Sequence, residues 1–154
     1  MKNLTRSLRA MTIGLLGLLG CAGERPNNLG TTGKALSACP ASPNCVSSQA
    51  ADEKHQIAPL TFNGAPEVAF SLLKRVLKQR DDATIIEEKS GYLRVELRTL
   101  LFVDDGEFLL DRKLNVIQVR SASRLGYSDL GKNRSRMEQI RRQFIAAESN
   151  LQNH

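Results

Sequence analysis

The chain has 154 residues and a formal charge of +6, from 22 Lys+Arg against 16 Asp+Glu. This length suits one domain with extensions, and 41% hydrophobic with 25% charged residues is globular composition that argues against general disorder. Apolar runs stay shorter than the roughly 18 residues of a spanning helix, which excludes a multi-span membrane protein. Because Trp is absent and aromatic residues make up 5%, the core is expected to be aliphatic.

The N-terminus has the features of an export signal. Lys2, Arg6 and Arg9 precede an apolar stretch over residues 10–20 that is too short to cross a bilayer. The following Leu18-Leu19-Gly20-Cys21 resembles the bacterial lipobox. The resemblance implies a signal peptide over residues 1–20, cleavage before Cys21 and lipidation of that cysteine. The alternatives are an ordinary signal peptide with an incidental cysteine, or an uncleaved anchor.

This leader predicts a lipid-anchored protein of the bacterial cell envelope that faces the periplasm. Ala22, in place of the Asp that favours inner-membrane retention in enterobacteria, indicates the outer membrane. Residues 21–38 contain several Gly and Pro residues without an apolar period, which predicts a flexible tether. A coil of that length spans roughly 20–25 Å, enough to lift a domain off the lipid headgroups.

Two further cysteines, Cys39 and Cys45, flank a short Pro-rich loop. Export places them in an oxidising compartment, where a disulfide is the expected state. Free thiols, a redox pair or a metal site that uses His55 are the alternatives. The spacing fits neither a common zinc pattern nor the usual C-x-x-C redox motif, so no metal and no cofactor are expected.

Periodicity in the remaining chain predicts helix, strands and helix in that order. Pro66 begins a helix with apolar residues at i, i+3, i+4, i+7 and i+8. The predicted strands cover residues 83–88, 92–98, 100–110 and 116–121. The third is interpreted as one strand with a bulge at Gly106, the alternative being two strands with an Asp-Gly turn. A final helix has Asn133 as its predicted N-cap, and its apolar face consists of Met137, Ile140, Phe144 and Ile145.

The predicted fold class is therefore α+β: a small two-layer domain with an antiparallel sheet of about four strands packed by two helices on one face. The domain is expected over residues 39–147, followed by a disordered tail over residues 148–154.

The charge is unevenly distributed along this domain. Residues 112–142 contain nine basic and two acidic residues, whereas residues 21–111 contain 10 basic and 13 acidic ones. The basic region either pairs with acidic residues of the same domain, chiefly Asp104, Asp105 and Glu107, or binds an anionic ligand, or forms a solvated surface. Arg134 and Arg136 lie in the first turn of the predicted helix, where the helix dipole disfavours cations, so a carboxylate or a bound anion is expected nearby. Export and the lack of an aromatic stacking array argue against nucleic acid.

One segment within this basic region is recognisable. Residues 120–136, RSASRLGYSDLGKNRSR, resemble the hallmark of the bacterial and plastid family known as domain of unknown function 1499. Asp104-Asp105 and the CPASPNCVSS segment over residues 39–48 resemble the family's other two blocks. The resemblance extends from about Cys39 to Phe144 and implies kinship without an established activity.

The motif residues define a candidate anion-binding site or polar network at one edge of the sheet. Its members are Arg120, Ser121, Ser123, Arg124, Asp129, Asn133, Arg134, Arg136, Asp104 and Asp105. The arginines provide bidentate donors for an anionic lipid, a glycan or an acidic protein, and Asp129 is expected to accept from Arg124 or Arg134. The favoured function is thus a non-catalytic binding or accessory domain.

The alternative is a hydrolase-type enzyme. Ser121 or Ser123 as nucleophile would need His55 or His154 as base, and the sequence has no G-x-S-x-G elbow. His55 is interpreted as a surface or loop residue. Asp104 and Asp105 would make a poor carboxylate pair, because adjacent strand residues point to opposite faces.

Overall fold

The computed structural model describes residues 22–33 and 35–152. Its elements in chain order are β1 (Thr31–Thr32), β2 (Ala35–Leu36), β3 (Cys45–Ser47), β4 (Leu60–Thr61), α1 (Pro66–Lys78), β5 (Ala83–Lys89), β6 (Tyr92–Arg98), β7 (Val103–Asp111), β8 (Val116–Ser123) and α2 (Lys132–Gln152). No helix within these ranges is long and apolar enough to cross a membrane.

The main sheet is antiparallel and has six strands in the described part of the chain, where the sequence predicts about four. Its order is β3-β8-β7-β6-β5, and β4 also pairs with β8. β3 pairs with the C-terminal half of β8 and β4 with the N-terminal half. The two additional strands contain only three and two residues, too few to produce a detectable alternation. The predicted α+β class is confirmed and the strand number is corrected.

The hydrophobic core lies between the helices and one face of the sheet. β6 contributes Leu93, Val95 and Leu97, which share one face of the sheet because they occupy alternate positions of the strand. All three are fully buried. α1 buries the predicted face, and α2 buries Met137, Ile140 and Phe144. Ile145, predicted to belong to that face, is instead 48% exposed. One residue beyond Phe144, it is rotated by about 100° around the helix.

α2 also continues to Gln152, into the region where the sequence predicts a disordered tail. Two contacts accompany this extension. Ala147 packs against the core, and Glu148 Oε1 accepts a hydrogen bond of 2.7 Å from the backbone N–H of Asn63.

β7 is one continuous strand, as favoured, but it has no bulge at Gly106. Gly106 pairs in regular register with Val95 and Ser121. A side chain is excluded there by packing, because a Cβ on Gly106 would lie 2.9 Å from Leu97 Cδ1. The register shift occurs instead in β5, between Ile85 and Glu87.

The N-terminal segment packs on the domain, where the sequence predicts a flexible tether. We call residues 22–33 and 35–38 the strap. The strap contains the β1–β2 hairpin, and it contacts the sheet face opposite the helices through Arg25, Pro26 and Gly30. These contacts are polar, so the apolar pattern of the sequence gives no sign of them.

Candidate functional site

The sheet face beneath the strap is charged and buried. On β6 it presents Tyr92, Arg94 and Glu96, which alternate with the core leucines and valine. Each of the three is at most 8% exposed. A half-buried antiparallel sheet normally turns such residues toward water. Here the strap covers them, so the sheet has a hydrophobic core on one side and an ionic layer on the other.

One row of this face runs across three strands with alternating charge. Arg94, Glu107 and Arg120 are register partners on β6, β7 and β8. Glu107 accepts hydrogen bonds from Arg120 Nη1 at 3.0 Å and from the Tyr92 hydroxyl at 2.8 Å. Burial, and then the charge of Glu107, raises the pKa of Tyr92 well above its usual range. The row therefore keeps Tyr92 a neutral donor.

Arg124 bridges Asp105 and Glu96, the other two carboxylates of the face. Its Nε and Nη2 donate to Asp105 at 2.7 and 2.9 Å, and Nη2 also donates to Glu96 at 2.7 Å. Arg94 Nη2 adds a bond to Asp105 at 3.2 Å. The hydrogen bonds that Arg124 donates to Asp105 raise the pKa of Arg124; burial opposes this shift and the hydrogen bond to Glu96 reinforces it. This bidentate geometry suits a guanidinium and not an ammonium group.

Glu96 also accepts hydrogen bonds from two arginines at the edge of the face. It accepts from Arg25 Nη2 at 2.6 Å and from Arg98 Nη2 at 2.5 Å. Burial opposes its ionisation, but the hydrogen bonds from Arg124 and Arg25 outweigh burial and lower the pKa of Glu96 from 4.5 to about 2.

This shift predicts a loss of stability in acid. A depressed folded-state pKa stabilises the fold fully above the unfolded value of 4.5, and the contribution disappears as the pH falls through 4.5 toward about 2. We expect Glu96→Gln to be less stable than wild type by about 2–3 kcal/mol near neutral pH, with the gap closing across that acid window. Urea unfolding at a series of pH values measures this gap. Glu53→Gln, at an exposed loop residue, should show no comparable pH-dependent gap, and a constant gap for Glu96→Gln would contradict the assignment.

A cleft of about 370 Å³ lies between the strap and the charged face. Asp105, Arg120 and Arg124 line its sheet side, and strap residues including Pro26 line the other. Two backbone groups of the strap contact the ionic layer: Pro26 O accepts from Arg94 Nη2 at 2.9 Å, and Gly30 N donates to Glu107 at 2.8 Å. Among the described residues, four buried side-chain nitrogens have no hydrogen-bond partner: Arg94 Nε and Arg120 Nε on this face, and Arg136 Nε and Nη2 on the helix side of the sheet.

A second polar cluster lies on the helix side of the sheet. Asp104 points to this side and accepts from Arg136 Nη1 at 2.5 Å, and Arg136 Nε also lies 3.3 Å from Asp82. Arg136, in the first turns of α2, is 2% exposed because it lies between that helix and the sheet. The carboxylate expected beside this first-turn arginine is therefore Asp104.

Asn133 is fully buried in the same cluster and is not the helix N-cap, so that prediction is wrong. α2 begins one residue earlier, at Lys132. The Ser121 hydroxyl donates to Asn133 Oδ1, and Asn133 Nδ2 donates to Ser123 Oγ at 2.9 Å and Asn44 O at 3.1 Å. Asn133 thus ties the end of β8 to α2 and to the segment before β3.

Asp129 binds backbone groups where arginine partners were expected. Its two oxygens accept from Gly131 N at 3.0 Å and from Asn133 N at 2.6 Å, which satisfies donors at the start of α2. Arg134 donates to the carbonyl oxygens of Gln56 at 2.7 Å and Lys54 at 3.0 Å. The expected basic loop-helix surface is therefore divided: Arg120 and Arg124 face the strap, Arg136 faces the helices, and Arg134 holds a loop.

The remaining predicted residues concern the cysteines and His55. Cys39 and Cys45 form a disulfide, whereas Cys21 lies outside the described residues. His55 is a loop residue, as interpreted, but it is buried. Its Nδ1 lies 2.7 Å from Asp52 Oδ1 and its Nε2 lies 3.0 Å from Ser42 O. Both ring nitrogens are thus engaged in holding the loop.

These contacts bear on the catalytic alternative. Within residues 22–33 and 35–152, neither Ser121 nor Ser123 is hydrogen-bonded to His55, and no cluster of three His, Cys, Asp or Glu residues could hold a metal ion. Asp104 and Asp105 lie on opposite faces of the sheet, and each is paired with arginine. Among these residues the arrangement stabilises the fold and provides guanidinium donors, without pairing a nucleophile with a base.

Sequence reasoning named Asp105, Glu107, Arg120 and Arg124 but missed the other members of the ionic layer, namely Arg25, Tyr92, Arg94, Glu96 and Arg98. The signal that could have identified them is the pairing of strands with alternating charged residues. When the β6 and β7 sequences are aligned antiparallel, Arg94 falls opposite Glu107. Cross-strand pairs of opposite charge are favourable neighbours.

Most of the chain matches a known protein family. The family model described as "Protein of unknown function (DUF1499)" matches residues 35–144, which include the disulfide, both polar clusters apart from Arg25, and most of α2. No curated protein and no solved structure matches the chain. Because the matched residues are most of the chain, the protein belongs to the DUF1499 family of proteins of unknown function.

Proposed function

We propose that this protein is a lipid-anchored, non-catalytic binding domain of the bacterial envelope, whose ligand is a small anion held in the cleft beneath the strap. The observation that carries the proposal is Arg120. Its side chain lines the cleft and is buried, and its Nε has no hydrogen-bond partner among the described residues. A buried guanidinium donor without a partner is costly unless a ligand satisfies it.

The charge balance of the ionic layer supports an anion. Among the described residues, five arginines surround three carboxylates. The excess of two comes from Arg25 and Arg98, whose side chains are 57% and 53% exposed at the edge of the layer, whereas the three buried arginines balance the three carboxylates. An anion in the cleft would meet Arg120 and Arg124 in a partly dehydrated region, where attraction is stronger than in water. The cleft volume of about 370 Å³ matches a small ligand such as a phosphate ester. Because the Arg120 Nε is itself buried, we expect the strap to shift when the anion enters.

The other two arginines of the motif, Arg134 and Arg136, lie outside the cleft, which favours Arg120 and Arg124 as the anion-binding residues. Arg136 also has unpartnered nitrogens, but it is paired with Asp104 between α2 and the sheet and does not line the cleft. Arg134 is bonded to two backbone carbonyls. Arg120 and Arg124 are the motif arginines that line the cleft. The family motif therefore contributes to the proposed site through these two arginines.

Calorimetric titration with inorganic phosphate, glycerol phosphate and a sugar phosphate tests the site. Arg120→Lys keeps the charge beside Glu107 but removes Nε, so we expect about tenfold weaker anion binding, equivalent to about 1.4 kcal/mol. Arg112→Lys is the matched control, since Arg112 is an exposed arginine that lines other clefts. Equal binding by Arg120→Lys and wild type, or no binding by wild type, would overturn the proposal. Preference between the two esters distinguishes a lipid headgroup from a glycan.

The anchor is tested separately. Radiolabelled palmitate should label wild type in cells and should not label Cys21→Ala. Equal labelling of both proteins would refute lipidation at Cys21 and leave the anion site to be judged by calorimetry alone.

A further inference from the structure

Six large apolar side chains are exposed at one end of the sheet. They come from the loop after β6 and the loop after β8, which emerge at the same end because Asp104 and Ser123 are register partners. We call this set the apolar rim, and its members are Leu100, Leu101, Phe102, Leu125, Tyr127 and Leu130. Their exposed fractions range from 42% to 96%. Members of both loops line one depression of about 200 Å³, so the two loops form a common surface.

Large exposed apolar side chains grouped at one end of a domain indicate an interaction partner. The identity of that partner follows from where the strap begins. Gly23 packs on the rim: a Cβ on it would lie 2.9 Å from Arg124 Cβ and 3.0 Å from Leu125 Cγ. Cys21 precedes Gly23 by two residues, which span at most about 7 Å. A lipid on Cys21 would therefore leave the protein beside the rim.

Exposed cations accompany the rim. Arg25 follows Gly23 in the strap, and Arg98 ends β6 immediately before the rim; their side chains are 57% and 53% exposed. Lys132 lines the same depression as Phe102 and Leu125. Asp104 and Asp129 line it too, but Asp104 is paired with Arg136 and Asp129 accepts from two backbone N–H groups. Such a border of Lys and Arg around apolar side chains is typical of surfaces that lie in the membrane interface, where the cations reach headgroup phosphates.

We propose that the apolar rim inserts into the interfacial layer of the membrane that carries the Cys21 lipid. The inference rests on the proposed lipid anchor. The sequence alone predicts a domain held roughly 20–25 Å from the membrane on a flexible coil. In this proposal the domain instead lies against the membrane, because the strap is bound to the sheet. The rim would then be a second membrane contact that adds to the acyl chains, as stable anchoring usually requires.

The absence of tryptophan from the sequence provides a direct test. Leu101→Trp places a single indole in the rim. Leu114→Trp is the matched control, since Leu114 is 63% exposed against 60% for Leu101 and lies in the turn between β7 and β8 at the other end of the sheet. The full lipidated protein is reconstituted in vesicles of phosphatidylethanolamine and phosphatidylglycerol with or without brominated acyl chains. We expect bromine to reduce the emission of Leu101→Trp by about twofold or more and to leave Leu114→Trp unchanged.

A second change tests the apolar character of the rim. Leu100→Asp in the Leu101→Trp background should reverse most of the quenching, because a carboxylate is expelled from the interface. Leu100 is 95% exposed, so its replacement leaves the core intact.

The outcomes separate the two proposals. Protein that does not remain with the vesicles refutes the anchor, and the docking inference fails with it. Protein that remains bound while Leu101→Trp is unquenched overturns the docking inference alone. Unquenched but blue-shifted emission would mean that a second copy of the chain covers the rim, which also contradicts membrane insertion.

Discussion

Asp105→Asn should lower the free energy of unfolding by about 3–5 kcal/mol, because it leaves buried guanidinium groups without their carboxylate. Asp105 is 1% exposed and accepts two hydrogen bonds from Arg124 and one from Arg94. The asparagine keeps the shape and removes the charge, so the loss reports electrostatics and not packing. Urea unfolding followed by circular dichroism measures the change.

Asp81→Asn is the control for this experiment, since Asp81 is exposed and lies just before β5. It should change stability by less than about 0.5 kcal/mol, as is usual for surface substitutions. A similarly small loss for Asp105→Asn would show that the two arginines are adequately served by Glu96 and Glu107, and that the ionic layer does not depend on Asp105.

Arg136→Met should destabilise the fold by a comparable amount, about 3–5 kcal/mol. The substitution leaves Asp104, which is 3% exposed, as a buried charge without its partner beneath α2. Asp82 is less affected, because it also pairs with Arg80 at 2.8 Å. Thermal and urea unfolding both report the loss.

The double variant Arg136→Met with Asp104→Leu distinguishes an unpaired charge from lost packing. Replacing a buried ion pair by apolar residues of similar volume is often neutral or stabilising. We therefore expect the double variant to recover most of the stability lost in Arg136→Met. A double variant as unstable as the sum of its two single variants would show that the pair does not interact as described.

Local periodicity predicted the regular elements where they are long. α1 has its full apolar face, and β6 alternates between core and polar residues as predicted. The prediction failed for β3 and β4, because these strands have only three and two residues and form by pairing with β8. It also failed for Asn133, whose side chain faces inward because Ser121, Ser123 and Asn44 O surround it.

The candidate site shows a different limit. The motif residues were expected to form one polar cluster at one sheet edge, but the alternation of strand side chains divides them. Asp104, Ser121 and Asn133 belong to the helix side, whereas Asp105, Arg120 and Arg124 belong to the strap side. The same alternation that separates Asp104 from Asp105 places Ser121 and Ser123 together on the helix side and Arg120 on the strap side.

Local features of the sequence were sufficient to predict the α+β class, the family and the pairing of Cys39 with Cys45. These depend on periodicity, on a long motif and on two cysteines six positions apart, all of which are local along the chain. The packed fold was needed to show that the strap lies on the sheet, that the arginines face three carboxylates and that two loops form one apolar rim. Each of these depends on contacts between residues as many as 77 positions apart, such as Gly30 with Glu107. Contacts between a backbone group and a charged side chain leave no periodic trace in a single sequence, so the packed fold was needed to reveal them.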